Sequence, residues 1–326
     1  MGYVLVTGAG GFIGGHLVKR LIVSGNVKVK AVDIKPLNLW HQVYSAAENI
    51  VLDLSDRGNC YSVMAGVDSV YNLAADMGGI GFIENHKTAC MLNVLINTHL
   101  LLAARDNKVK SYFFSSSACV YSQSKQLDCD NPGLKESDAY PAMPEDGYGW
   151  EKLFSERMCR HFREDFGIAT KVFRFHNVYG PFGSFEGGRE KAPAAICRKI
   201  IDAKLSGKSR IEIWGDGKQT RSFMYIDDCI EGLVRLMESD VAEPLNLGSA
   251  ELVSINQLVA MVEAIAGVTL EKTYLPQEAK GVRGRNSDNR MIRDLLHWEP
   301  SISLQTGLEK TYTWIHGEMK SRYGIN

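Results

Sequence analysis

The first 120 residues alternate short apolar runs with longer amphipathic segments. The apolar runs, rich in β-branched and aromatic residues, are YVLVTG, VKAVD, NIVLDL, SVYNLAA and SYFFSSSA. Between them, apolar side chains recur at helical spacing from Ile13 to Ser24 and through MLNVLINTHLLLAAR. Strands that alternate with helices form βαβ units, whose parallel sheet is covered on both faces. The pattern therefore predicts an α/β fold with a doubly wound parallel sheet of the Rossmann type.

The pattern loosens after residue 180. A helix over roughly 148–165 and the strand TKVFRF precede the glycine-rich GPFGSFEGGREK, a further helix at about 192–204, and IEIWGDGKQTRSFMYIDD. We predict a Rossmann domain formed by residues 1–180 and completed by about 221–247. A smaller mixed α/β lobe would be formed by residues 181–220 and 248–326. Such a lobe would cover the carboxyl ends of the strands, where doubly wound sheets bind their ligands.

Amino-acid composition indicates which binding partners and which cellular environment to expect. The 326 residues include 37 basic and 38 acidic side chains, a formal charge of −1, so bulk charge favours neither nucleic acid nor an anionic membrane. The seven cysteines are scattered without a CxxC pair, which favours a reducing cytoplasm over a disulfide framework or a zinc site. The pattern includes no signal peptide and no apolar run near 18 residues, so we expect no membrane span.

A glycine-rich turn follows the first strand. In VTGAGGFIG, Gly8, Gly11 and Gly14 stand between strand and helix, with Phe12 and Ile13 in the helix opening. Glycines there permit a tight turn and close backbone approach, so that a pyrophosphate can sit on the helix N-terminus. The alternative is a purely structural turn.

Three small or acidic residues at later strand ends extend this prediction. Asp33 ends the second strand 19 residues after Gly14, where a carboxylate binds ribose hydroxyls and repels a 2′-phosphate, so NAD is favoured over NADP. Lys35 weakens that preference slightly. Asp53 is a candidate for the adenine amino group or a plain strand-end carboxylate, and Ala74 leaves room for the cofactor.

A candidate redox site combines Ser117, Tyr148 and Lys152. Tyr148 and Lys152 are four residues apart and share one helix face. A lysine beside a phenol lowers its pKa, so Tyr148 can accept a hydroxyl proton while the neighbouring carbon gives a hydride to NAD. Ser117 would hydrogen-bond the same oxygen.

These motifs together resemble the extended short-chain dehydrogenase/reductase family of nucleotide-sugar epimerases and dehydratases. The resemblance covers essentially the whole chain. Within the family, DMGGIGF, SSACVY, RFHNVYGPFG, GGREKAPAA, WGDGKQTRSF and GVRGRNSDN are similar to members that invert C3 and C5 of a GDP-hexose. The sequence VYSQSKQ departs from most relatives, which have Gly or Pro after the tyrosine.

Cys119 and Lys191 are the residues that would separate such members from simple 4-epimerases. A ketone at C4 acidifies the hydrogens on C3 and C5, and a thiolate on one face with an ammonium on the other could invert these carbons. An ordinary thiol is mostly protonated at neutral pH, so Cys119 needs a nearby cation, for which Lys191 is the candidate. The alternatives are a small buried hydrophobe for Cys119 and a solvated or phosphate-binding lysine for Lys191.

The resemblance also implies a substrate site for a GDP-sugar. It places Arg283 or Arg285 on the diphosphate, and the full set is Gly78, Ser117, Ala118, Cys119, Asn177, Glu190, Lys191, Ala192, Lys199, Gln219, Arg221, Arg283 and Arg285. No metal is expected. Helices near 89–105 and 148–164 would pair in a homodimer. A nucleotide-sugar 4-epimerase and a non-catalytic NAD-binding protein remain the alternative functions.

Overall fold

The computed structural model describes residues 2–278 and 281–323. Its strands are β1 Tyr3–Thr7, β2 Lys28–Asp33, β3 Glu48–Val51, β4 Val67–Asn72, β5 Ser111–Ser117, β6 Ala169–Phe175, β7 Asn177–Tyr179, β8 Arg210–Trp214, β9 Thr220–Tyr225, β10 Leu245–Leu247, β11 Leu252–Ser254, β12 Glu271–Leu275 and β13 Gly284–Arg285. Its α-helices are α1 Phe12–Ser24, α2 Arg57–Met64, α3 Ile80–Asn85, α4 Lys87–Asp106, α5 Tyr148–Phe166, α6 Ala192–Ser206, α7 Ile226–Glu238, α8 Ile255–Ala266, α9 Arg290–Leu296 and α10 Leu304–Tyr323.

A seven-stranded sheet forms the centre of the described chain. Its order is β10-β6-β5-β4-β1-β2-β3, and every neighbouring pair is parallel. This confirms the predicted Rossmann-type fold. Parallel strands place their carboxyl ends on one edge, so Thr7, Asp33, Asn72 and Ser117 lie along the same side of the sheet.

Local signals explain where several helices begin and end. Helix α1 ends at Gly25, which has φ 71°, the left-handed conformation that glycine adopts without steric cost. The Asp56 carboxylate accepts a hydrogen bond from Asn59 N at the start of α2. Ser254 and Gln257 form a reciprocal capping box at the start of α8. The predicted helix at 148–165 and the helix at 192–204 correspond to α5 and α6, with ends one or two residues later.

Further strands lie beyond the main sheet. β9 pairs with β11, β13 and β7, and β12 pairs with β8. The chain returns to the main sheet through α7 and β10, which pairs in parallel with β6. One apolar core joins α1 and α7 to α6, α8 and α10, and a second covers the opposite face of the sheet beneath α2 and α4. The predicted lobe boundaries stay a prediction.

Helix α4 is, within the described residues, long and apolar enough by length and composition to cross a membrane. The same composition is found in core helices of soluble proteins. Here α4 packs against α5 and α2, and its buried Asn97 accepts hydrogen bonds from Asn72 and Tyr112 inside the sheet layer. Polar residues break up its apolar run, which is why the sequence did not predict a span.

Candidate functional site

The glycine turn between β1 and α1 is built for close approach. Gly8 has φ 68°, and a Cβ there would lie 2.8 Å from the Leu73 carbonyl group. A Cβ on Gly14 would lie 2.2 Å from Gly8 O. Gly11 precedes the first turn of α1, which carries neither a side-chain cap nor an acidic residue. An open helix N-terminus of this kind fits the pyrophosphate of a dinucleotide, and Phe12 and Ile13 begin that helix.

Asp33 braces the same turn. Its Oδ2 accepts a hydrogen bond from Gly10 N at 3.0 Å, and its Oδ1 accepts one from Lys35 N at 2.9 Å. Each oxygen retains a lone pair for a ribose hydroxyl. Lys35 Nζ donates to Gly10 O at 2.7 Å, so its charge is directed into the turn. The residues present therefore fit the adenosine half of NAD.

Asp53 and Ala74 have local roles as well. Asp53 Oδ1 accepts from Ser55 N at 2.9 Å and so shapes the turn that follows β3. Ala74 N donates to Thr7 Oγ1 at 3.2 Å, which ties the end of β4 to the end of β1. Their predicted contacts with the cofactor stay predictions.

Ser117, Tyr148 and Lys152 come together at the carboxyl end of β5. Ser117 ends β5, Tyr148 begins α5, and the Ser117 side chain acts to lower the pKa of Tyr148. Lys152 Nζ lies 5.3 Å from the centre of the Tyr148 ring and 3.4 Å from Glu151 Oε2. Tyr148 and Lys152 are both buried.

Burial dominates the pKa of Tyr148. Burial raises the pKa of Tyr148 well above its usual value, and negative charge on Cys119 and Glu151 acts in the same direction. The expectation that Lys152 lowers the pKa of Tyr148 stays a prediction. Loss of hydration is the largest cause of the net shift.

Cys119 is buried beside Tyr148, in a small apolar cluster with Ile83 and Cys90. Its Sγ lies 3.9 Å from Arg285 Nη1. Burial raises the pKa of Cys119 to about 11, Glu145 acts in the same direction, and Arg285 and, more weakly, Lys191 lower it. Lys191 is the cation expected from the sequence, but Arg285 lowers the pKa of Cys119 more than Lys191 does.

Lys191 directly precedes α6 and belongs to the same electrostatic cluster. Burial lowers the pKa of Lys191, Arg285 and Arg221 lower it further, and Cys119 and Glu145 raise it. The cluster thus combines three cations with one carboxylate and one thiol. Its net positive charge suits an anionic ligand.

Arg221 strengthens this conclusion. Its guanidinium donates to carbonyl oxygens, at 2.7 Å to Thr220 O and 2.6 Å to Val282 O. Burial and, less strongly, the charge of Arg285 lower the pKa of Arg221 to about 10. No ion pair joins Arg221 to a carboxylate in the ranges the structure covers, so a bound phosphate would supply the missing negative charge.

The structure separates Arg283 from Arg285. Arg285 is ion-paired with Glu145 beside Cys119, whereas Arg283 is half exposed and pairs with Asp216 at 3.0 Å. Arg283 therefore lies at the rim of the cluster.

The other predicted substrate residues fall into two groups. Lys199 Nζ lies 5.7 Å from the Trp214 ring, and Gln219 Nε2 donates to Trp214 O at 2.8 Å. Asn177 Nδ2 donates to Ser222 O at 3.1 Å on β9. Nearer the cysteine are Ala118, which follows Ser117, and Ala192, the first residue of α6.

Glu190 and Gly78 lie in two loops that contact each other. One carboxylate oxygen of Glu190, Oε2, is buried without a hydrogen-bond partner in the described structure, as a contact with a substrate hydroxyl would require. A Cβ on Gly78 would lie 2.9 Å from Phe82 Cβ and 3.0 Å from Arg189 Cγ, so protein atoms occupy that space. The predicted contact between Gly78 and the sugar stays a prediction.

Glu145 is a site residue that the sequence analysis missed. It lies three residues before Tyr148, its N–H donates to Cys119 O at 2.9 Å, and its carboxylate pairs with Arg285. An acidic residue beside the Tyr148 motif was the available signal. No group of three or more potential metal ligands occurs within residues 2–278 and 281–323.

Comparison with known proteins defines the class. Residues 4–248 match the NAD dependent epimerase/dehydratase family, and the chain belongs to that family. This confirms the predicted family and its dependence on NAD.

The similarity extends over nearly the whole chain for particular relatives. The chain is 46% identical to GDP-mannose 3,5-epimerase of Arabidopsis thaliana, over 97% of this chain and 83% of that protein. It is 47% identical to GDP-mannose 3,5-epimerase 1 of Oryza sativa subsp. japonica, over 97% and 82%. A similar solved structure is the UDP-glucose 4-epimerase of Thermotoga maritima, at TM-score 0.87 and 25% identity, covering 97% and 99% of the two chains.

Proposed function

We propose that the protein is a GDP-mannose 3,5-epimerase that converts GDP-D-mannose to GDP-L-galactose with bound NAD. The observation that carries this proposal is the position of Cys119. Its thiol lies in one buried cluster with Tyr148 and within electrostatic range of Lys191. A redox tyrosine and a pair of proton-transfer groups therefore share one site, in a chain that is 46% identical to the Arabidopsis enzyme of that name.

The oxidation step uses the groups at the end of β5. The glycine turn and Asp33 would hold NAD, which would supply the hydride acceptor for C4 oxidation and the hydride donor for the return step. Tyr148 accepts the C4 hydroxyl proton, Ser117 hydrogen-bonds the same oxygen, and the Lys152 ammonium favours the phenolate. Because burial raises the pKa of Tyr148, the positive charge of Lys152 is needed to offset that effect.

The inversion step uses Cys119 and Lys191. The C4 ketone makes the hydrogens on C3 and C5 acidic, because each resulting carbanion is an enolate. One group removes a proton from one face of the carbon, and the other returns a proton to the opposite face. Burial raises the pKa of the Cys119 thiol and lowers the pKa of the Lys191 ammonium. Each inversion exchanges the protonation states of the two groups.

The protonation state of Cys119 in the protein without substrate bears on which group donates the proton and which removes it. A Cys119 pKa of about 11 leaves the thiol protonated at neutral pH. In this state Cys119 can donate a proton, whereas the role assigned from the sequence makes it the group that removes one. Arg285 lowers the pKa of both groups, which stabilises the thiolate left after Cys119 donates its proton.

The cationic residues suit the GDP part of the substrate. Arg221 and Arg285 can bind the diphosphate, and Lys199, Gln219 and Arg283 lie farther out around Trp214 and Asp216. Glu190 offers its unpartnered oxygen to a sugar hydroxyl.

A homodimer in a reducing cytoplasm completes the proposal. α4 and α5 pack side by side and expose large apolar side chains, namely Met91, Leu92, Leu95, Trp150 and Phe154. Such a patch suits burial against a second copy. The seven cysteines are all free thiols, which supports a reducing compartment.

The test is incubation with GDP-mannose in D₂O, followed by NMR of the sugar. The proposal requires deuterium at C3 and C5. A nucleotide-sugar 4-epimerase would leave both positions protonated.

A further inference from the structure

Two loops meet beside Cys119. The Asp76 loop (residues 76–82) follows β4, and the Arg189 loop (residues 187–191) precedes α6. Arg189 Nη1 donates to Asp76 Oδ1 at 2.8 Å and to Met77 O at 2.9 Å. Its guanidinium carbon lies 3.8 Å from the centre of the Phe82 ring, a cation–π contact.

The backbones of the loops are also joined. Gly79 N donates to Arg189 O at 3.1 Å. A Cβ on Gly79 would lie 2.9 Å from Glu190 O, and a Cβ on Gly78 would lie 3.0 Å from Arg189 Cγ. Two glycines in sequence therefore permit an approach that any side chain would block.

This contact connects the two proton-transfer groups. Met77 and Phe82 pack against the cluster that contains Cys119 and Tyr148. Lys191 is two residues beyond Arg189 on the docked segment. The position of Lys191 relative to Cys119 thus depends on how the Arg189 loop sits on the Asp76 loop.

The Arg189 loop is attached differently at its two ends. Gly187 and Gly188 have φ 84° and 81°, and a Cβ on either would meet nothing within 4 Å. These glycines serve backbone conformation rather than packing. At the other end, α6 begins with a buried proline in its first turn. Between these two ends, Arg189 attaches the loop to the Asp76 loop, and Glu190, which pairs with Arg198 at 3.7 Å, attaches it to α6.

We propose that Arg189 is a positioning residue for the epimerisation. By docking on Asp76 and Phe82 it holds Lys191 at the distance from Cys119 that proton transfer across the sugar ring requires. This inference rests on the proposed function. It concerns only the inversion step, because Tyr148, Ser117 and Lys152 are held by β5 and α5.

The test separates the two steps in Arg189→Met and Asp76→Asn. In Arg189→Met, deuterium incorporation at C3 and C5 from D₂O should fall about 10- to 100-fold, the loss expected when reacting groups are displaced by an ångström. Asp76→Asn should lower it less, because the ion pair is half exposed and Arg189 keeps its contacts with Met77 O and the Phe82 ring. NADH absorbance in a single turnover with GDP-mannose should appear at the wild-type rate. The double variant should be no slower than the slower single variant, because both changes break one contact. Arg189→Lys should recover part of the exchange rate.

Arg235→Met is the matched control. Arg235 pairs with Glu231 at 2.7 Å and lies 5.9 Å from the Trp298 ring, so it also has one carboxylate and one aromatic partner, but it lies on α7. Arg235→Met should incorporate deuterium at C3 and C5 at the wild-type rate. Equal losses of NADH formation and exchange in Arg189→Met, or no loss of exchange, would overturn the inference. A wild-type enzyme that incorporates no deuterium would instead refute the proposed function.

Discussion

Arg285 Nη1 lies 3.9 Å from Cys119 Sγ, although 166 residues separate them in the sequence. The same guanidinium pairs with the Glu145 carboxylate. The thiol therefore has a cation in contact with it, and an anion on the far side of that cation partly cancels the effect. Burial makes the largest contribution to the raised pKa of Cys119, and Glu145 and Arg285 adjust this pKa in opposite directions.

Removing either charge should shift the pKa of Cys119 in opposite directions. Arg285 lowers the pKa of Cys119, so Arg285→Gln should raise it above about 11. Glu145 raises the pKa of Cys119, so Glu145→Gln should bring it closer to neutrality. The measurement is the pH dependence of iodoacetamide alkylation, followed by mass spectrometry on the peptide that contains Cys119.

Shifts in the same direction for both variants would contradict this balance. Cys60 is buried in the second core, away from Arg285, and provides an internal reference in the same digest. Its alkylation profile should be the same in both variants.

Removing the thiol should uncouple inversion from oxidation. Cys119→Ala should lose deuterium exchange at C3 and C5, since one of the two proton-transfer groups is gone. It should still form NADH with GDP-mannose, because Tyr148 and Ser117 remain. Cys60→Ala serves as the control and should retain both activities. Wild-type epimerisation by Cys119→Ala would show that the thiol has no role in proton transfer.

A buried ion pair beneath the site should matter for stability. Glu156 Oε2 accepts from Arg174 Nη2 at 2.7 Å, with both side chains 3% exposed, and its Oε1 accepts from Ser116 Oγ. Glu156→Gln leaves the Arg174 charge buried without its counter-charge, which should lower the free energy of unfolding by about 3–5 kcal/mol. Urea denaturation measures this difference.

Glu164→Gln is the control for that experiment. Glu164 pairs with Arg160 at 2.7 Å on the exposed face of the same helix. Its substitution should leave the urea midpoint essentially unchanged, because solvated pairs contribute little. Equal effects of the two substitutions would contradict the importance of burial.

The apolar patch on α4 and α5 should control assembly. Leu92 and Phe154 are 54% and 56% exposed, and the double variant Leu92→Glu/Phe154→Glu should place two charges on each side of the proposed interface. We expect light scattering to show a dimer for the wild type and a monomer for this variant. Val23→Glu, on α1 at 73% exposure, should remain dimeric. A dimeric double variant would locate the interface elsewhere.

The sequence alone was sufficient to predict the main parallel sheet and the redox residues Ser117, Tyr148 and Lys152. β-branched runs and helical periodicity predicted β1, α1, β5 and α5, because these elements are specified by local patterns. Tyr148 and Lys152 share a helix face by spacing alone, and Ser117 ends the strand beside them. These relationships need no long-range information.

The electrostatics of the site required the fold. Arg285 reaches Cys119 through β13, which pairs with β9, and no local pattern indicates this contact. The contact between Arg189 and Asp76 joins positions 113 residues apart. The pKa of Tyr148 depends mainly on its burial, which is a property of the folded chain. Tertiary packing, rather than residue spacing, determines these properties.

The most direct test of the central claim is NMR of GDP-mannose after incubation with the enzyme in D₂O. Cys119 and Lys191, beside a tyrosine that serves C4 oxidation, predict deuterium at both C3 and C5 together with GDP-L-galactose as a product. Inversion at C4 without deuterium at C3 or C5 would contradict the account, because it would assign the protein to the 4-epimerases and leave Cys119 without a chemical role.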